Sequence, residues 1–333
     1  ASKRPAAAWP SLYRDDMTLA EGVETSYVHY QPLRMLALAM TQRAIAAIRE
    51  GKSEEAFVSI RIVLHSADAC LQDSTLLSMM MGISLVTIVE PAISEGLRQQ
   101  IWDEGQLAGL RDQLGRFDWI EVLVHALEWE LWHSTSLFGG EVSVAEHIGF
   151  IDAIDDGRPG SAPPFVHALL WLAPRGWWKL NGDWAIDTTL DWWVLPLRDG
   201  EWERFARKDH PDFSWYLPLG RLSMPAYESV SRRTLHFEAW TRLAIAACEV
   251  EWHFLQTGAY PESLADLPRA PLDLFTDEPF RIQRIEGERY RLYSPGPLGV
   301  DDGGKQVFER DGKRRRFRDQ SLAEGDLVWK YPR

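Results

Sequence analysis

The stretch from Tyr227 to Gly258 constrains this chain most. Its apolar residues Tyr227, Val230, Leu235, Trp240, Leu243, Ala247, Val250 and Phe254 recur at helical spacing, and Gly258 is the kind of residue that ends a helix. At about 1.5 Å per residue, such a helix is longer than a small domain is wide. A small sheet formed by the chain after it is expected to pack on this helix.

Beyond Gly258 the pattern changes. A Tyr-Pro-Glu-Ser turn at Tyr260 starts a short helix. The runs PLDLFTDEPFRI, ERYRLYSPGPLGVDDGG and GDLVW then read as short strands bounded by Gly, Pro and Asp. The β pattern is confined to about residues 279–294 and 326–329. The expected fold is mainly α: a multi-helical domain over residues 25–220, then a long helix and a small α+β module over 221–333. Residues 1–24, rich in Pro and Ala at first, read as an arm or linker.

This order of elements resembles the C-terminal half of the major pseudopilin of type II secretion systems. The shared marks are the helix running into TGAYP, the DEPF turn, the LYS strand end, the GG pair and the closing Asp-Leu. The resemblance covers roughly a quarter of the chain. It implies a pseudopilin-like α+β module, an extracytoplasmic (periplasmic) location and a bacterial source. It also implies a structural calcium in the C-terminal loop, for which Asp301, Asp302 and Asp326 beside Ser294 are the candidate oxygen ligands. Two departures stand out: Leu298 occupies a place where the family usually has an Asp, and ERDGKRRRFRDQSLAEG lengthens the loop. Without metal, the same aspartates read as caps on turn N–H groups. In pseudopilins the long helix begins as an apolar membrane segment that builds filaments. Here it follows some 220 residues of helical domain, so the ending reads as a reused structural module. A general similarity extends to bacterial proteins that join a helical region to this ending and are often membrane-anchored.

Upstream, Leu33, Leu36, Ala37, Met40, Ala44 and Ile48 mark a first helix ending at Gly51. Ser53 reads as the N-cap of a second, with Glu54 and Glu55 near its positive end. The pair, with REGKSEEA at its turn, resembles one helical hairpin of a tetratricopeptide-type repeat. Asp73 or Ser74 is the expected cap of a third helix, apolar nearly all round, which places it centrally. That run, Leu76–Val89, falls short of the roughly 20 apolar residues needed to cross a bilayer. It ends in Glu90-Pro91 and reads as a core helix. Further helices are expected near Gln106–Leu114, from Asp118 to Gly139, and over Val142–Ile154. DDGRPGSAPP (155–164) is the clearest loop.

A formal net charge of −13 argues against a nucleic-acid partner and against a basic lipid-docking surface. Cys70 and Cys248 read as buried thiols or one long-range bridge. The beginning, ASKRPAAAWP, suits a chain whose membrane contact, if any, lies upstream of residue 1.

Two constellations carry chemistry. Glu121, His125 and Glu128 lie on one helix stripe, and Glu130 with His133 forms the Glu-x-x-His spacing used in di-iron bundles. A di-iron centre needs two such pairs; Glu249 and His253 are a poor second, and pairing with arginines and backbone is the alternative. Residues 171–215 hold eight of the sixteen tryptophans, among them Trp177, Trp178, Trp184, Trp192 and Trp193. Such rings either fill a core between short helices or line a ligand groove. The basic cluster Lys313–Arg318 is flanked by carboxylates and reads as a neutralised loop.

No Gly-rich phosphate loop, nucleophile elbow, HExxH or CxxC occurs. The function expected is therefore a non-enzymatic extracytoplasmic scaffold or binding protein with a protein partner. A hydrolase or metal-dependent enzyme built on Glu128, Glu130, His125 and His133 facing a Trp-lined cleft is one alternative. A glycan or small-ligand binder using the tryptophans is another.

Overall fold

In a computed structural model of the chain the described residues are 29–72, 75–138, 171–207, 211, 218–284, 290–308 and 317–330. The expected arm, the Val142–Ile154 helix, the 155–164 loop, Trp215 and Lys313–Arg316 lie outside them.

The fold is mainly helical and carries a small three-stranded antiparallel sheet. Helices α1 (Tyr30–Arg49), α2 (Ser53–Cys70) and α3 (Leu76–Gln99) pack on one another. On α1 the buried positions Ala37, Thr41, Ala44, Ala47 and Ile48 follow the helical period, and the three alanines among them let the neighbouring backbones come close. Helix α2 begins at Ser53 itself, with Lys52 at the N-cap position, so Ser53 is a first-turn residue. Its hydroxyl lies 3.4 Å from the Gln106 side-chain amide.

Thr75 caps α3: its hydroxyl accepts the Ser78 N–H at 3.1 Å, and the Ser78 hydroxyl answers the Thr75 N–H at 3.2 Å. The helix then runs through Pro91 to Gln99, past the end expected at Glu90-Pro91. One lost hydrogen bond is outweighed by packing, since α3 touches α1, α2, α5 and α9 at once. Although long and apolar enough to cross a membrane by composition, it is the central helix of this core.

Helix α4 (Glu104–Leu114) is capped by Asp103, and α5 (Trp119–Phe138) follows. Helix α6 (Arg175–Thr189) continues through a π turn, Leu190–Val194, into α7 (Leu195–Asp199). The widened turn holds Trp192, whose carbonyl the ring of Pro196 would otherwise strike, so the helical run survives its proline. Helix α8 is Trp202–Arg207.

Helix α9 (Pro218–Thr257) is the 40-residue axis of the molecule. It starts earlier than its apolar pattern from Tyr227 suggests, and it packs against α3, α4, α5, α6 and α8. Gly258 ends it with a φ of 74°. The Tyr-Pro-Glu-Ser turn then leads to a single 3₁₀ turn at Leu264–Asp266, with the Ser263 hydroxyl capping it. Strands β1 (Arg281–Gln283), β2 (Arg291–Ser294) and β3 (Leu327–Lys330) form the sheet in that order. Leu292 is paired with Ile282 on one side and Trp329 on the other. Strands β2 and β3 lie against α9, where Trp329 meets Trp240 at a ring distance of 5.8 Å. One buried apolar cluster runs from Ala37 in α1 to Trp329 in β3.

Candidate functional site

The carboxylates and histidines of α5 do not converge. Glu121 and His125 form an exposed surface pair at 3.1 Å. Glu128 pairs with Arg198 of α7. Glu130 turns the other way and accepts the backbone N–H of Leu76, the first residue of α3. Burial pushes its carboxyl above the ordinary range, and the N–H partly offsets that. The His133 side chain lies outside the described ones. Glu249, of the poor second pair with His253, is buried against Arg111 of α4 at 2.6 Å. Among the described residues no three His, Cys, Asp or Glu side chains gather as metal ligands do.

The tryptophans divide by depth. Trp178 and Trp193 are buried and offer no face to a ligand; Trp193 packs edge-on to Tyr227 at 5.8 Å. Trp177, Trp184 and Trp192 are half-buried, Trp177 edge-on to Trp178 and Trp192 beneath the Arg204 guanidinium at 5.2 Å. Trp202 reaches across to Phe275 in the C-terminal module, 6.4 Å away. Most of the belt therefore fills the joints between α6, α7, α8 and α9.

The C-terminal corner does bring its predicted residues together. Left-handed glycines, Gly303 at φ 70° and Gly304 at φ 76°, wrap the loop back toward β3. Asp326, at the entrance to β3, is 1% exposed. Its two carboxylate oxygens accept the N–H groups of Asp302 (3.2 Å) and Gly304 (2.6 Å). Asp301 accepts the Gly303 N–H at 2.9 Å and the Tyr293 hydroxyl. Burial raises the Asp326 carboxyl against the pull of its N–H donors, and Asp301 adds to the rise. Asp301 and Asp302 are both exposed, and of the three aspartates only Asp302 has a carboxylate with no hydrogen bond among the described residues. These residues do not fit a calcium cage, because two of the three carboxylates are spent on N–H and O–H donors where calcium asks for six to eight convergent oxygens. Asp301 and Asp326 act as turn caps.

Beside them lies a half-open cleft of about 290 Å³, walled by Leu298, Val300, Val307 and Leu322, with Asp302, Lys305 and Glu324 on its rim.

Three polar devices carry no motif in the sequence. Glu238 of α9 accepts the backbone N–H of Trp119, capping α5, and binds Arg242 at 2.7 Å. Arg242 also donates to the Leu272 carbonyl (3.2 Å), next to buried Asp273, which hydrogen-bonds Ser294 and the Phe275 N–H. Gln100, in a left-handed cap at φ 53°, joins Glu251 (2.9 Å) to the Tyr260 hydroxyl (2.8 Å). The only advance signal was a charged residue at a core position of an apolar helix.

No family model matches the chain, and no curated protein or solved structure is significantly similar to it.

Proposed function

We propose that this chain is a non-enzymatic binding or scaffold protein of a bacterial envelope, working outside the cytoplasm with a protein partner. One observation supports this best: the carboxylates suited to catalysis on α5 are engaged with separate partners and do not converge. Glu128 is tied to Arg198, and Glu130 to the start of α3. The enzyme alternative needs those groups to face one cleft. The extracytoplasmic location, the pseudopilin-like character of the ending and its link to a secretion or envelope assembly rest on the resemblance of residues 241–329. A long helix carrying a small antiparallel sheet is compatible with it.

The test is fractionation of cells expressing the tagged full-length gene, followed by chemical crosslinking in place. A stable complex in the envelope fraction is expected. A solitary monomer confined to the cytoplasm would overturn the proposal.

A further inference from the structure

The cleft beside Asp302 lies at the lower end of the roughly 300–1,000 Å³ range of ligand pockets, which suits one bulky side chain better than a whole cofactor. Its walls are preformed. Leu322 is buried in the core, Leu298 packs partly against it, and Val300 stands 60% exposed at the mouth. The backbone behind is tightly seated: a Cβ on Gly325 would lie 2.7 Å from the Lys305 carbonyl oxygen and 2.8 Å from the Val307 side chain.

The rim charges are left open. Asp302 and Glu324 are exposed, and their carboxylates make no hydrogen bond or ion pair among the described residues. Lys305 lines the same cleft, yet no carboxylate among the described residues pairs with it. Internal neutralisation is thus within the neighbourhood but is not used. Two free carboxylates against one ammonium, on a chain of net charge −13, complement a cation.

We infer that this cleft docks a segment of a partner protein in which a large apolar side chain stands beside Arg or Lys. The inference rests on the partner-binding function proposed above and assigns that function a place. The apolar side chain enters between Leu298, Val300 and Leu322. The neighbouring cation meets Asp302 and Glu324, and Lys305, a donor only, serves a backbone carbonyl of the same segment.

The test is selection of a phage-displayed random heptapeptide library on the full chain, then fluorescence anisotropy of the enriched peptides made synthetically. Enriched sequences should pair Phe, Leu, Met or Trp with Arg or Lys. Val300→Asp, at an exposed position that leaves the core intact, should weaken them about tenfold or more. Asp302→Asn with Glu324→Gln should weaken them roughly three- to tenfold and flatten their salt dependence. No enrichment, an acidic or neutral consensus, or affinity unchanged by Val300→Asp would each overturn the inference. Peptides that bind both forms equally would leave the binding function standing, with its site elsewhere. Cellular complexes that vanish while Val300-sensitive peptides still bind would remove the partner reading alone.

Discussion

Glu130 shows how one side chain can be misassigned by spacing. Its place three residues before His133 suggests a metal pair, but its neighbour in space is the N-terminus of α3. A helix start offers unpaired N–H groups and a partial positive charge, which a carboxyl oxygen satisfies whether charged or neutral. Burial favours the neutral form and raises its pKa above the ordinary 4.5. Burial raises Glu238 and Asp273 as well, against the pull of Arg242. For a carboxyl raised in the fold, the linked stability is fully present below the unfolded value and is lost as pH rises through the folded one. The melting temperature should therefore gain a contribution from these groups on mild acidification. Glu130→Gln keeps an oxygen for the Leu76 N–H with no charge to bury. At pH 7 it should be as stable as the wild type or up to about 1 kcal/mol more so. Its melting temperature should also change less between about pH 7 and pH 4. A pH profile identical to the wild type's would show that Glu130 does not titrate as described.

Among the elements, the sheet shows how a short edge strand is closed. Among the described residues strand β3 has β2 on one side only, and an open edge is a template for unwanted pairing. Gln320 covers it. Its side-chain amide donates to the Val328 carbonyl at 3.1 Å, and its oxygen accepts the Val328 N–H at 2.7 Å. The Gln320 carbonyl in turn lies 2.6 Å from Nε2 of His236 on α9, so the clasp ties the sheet edge to the axis. Gln320→Ala strands the buried Val328 N–H and should cost about 1–3 kcal/mol in urea denaturation. Hydrogen exchange read at Val328 should accelerate more than at Leu292, in the middle strand. Equal protection at Val328 in both proteins would refute the clasp.

At the scale of the whole molecule, α9 is a spine on which both the N-terminal helices and the sheet are hung. Both cysteines lie in the resulting core as thiols, Cys70 on α2 and Cys248 on α9, in no disulfide and each 1% exposed. Burial pushes the Cys248 thiol far up, and the neighbouring Glu249 and Glu251 add to it. Neither thiol should react with a disulfide reagent at neutral pH until the core opens, and two per chain should react after denaturation. The native reaction rate then reports opening of the core. Fast labelling of either cysteine in the folded protein would mean the helices are not packed as described.

The sequence by itself determined the helices, because apolar residues at a 3.6 period have no other economical way to be buried. Ala37 to Ile48 and Tyr227 to Phe254 are legible for that reason, as are the β segments near Leu292 and Val328. Local chemistry also carried the turn-capping reading of Asp301 and Asp326, whose partners lie close along the chain or across one loop. Tertiary structure alone decided the rest. Pro91 stays inside α3 since four neighbouring helices outweigh one missing hydrogen bond. Glu238 caps a helix that starts 119 residues before it, and Trp178 and Trp193 became core. The cleft at Leu298 exists only where two loops meet. Periodicity is a property of neighbours in the chain, whereas capping at a distance, burial of a given ring and the walls of a cleft depend on which surfaces meet, and no local pattern encodes that.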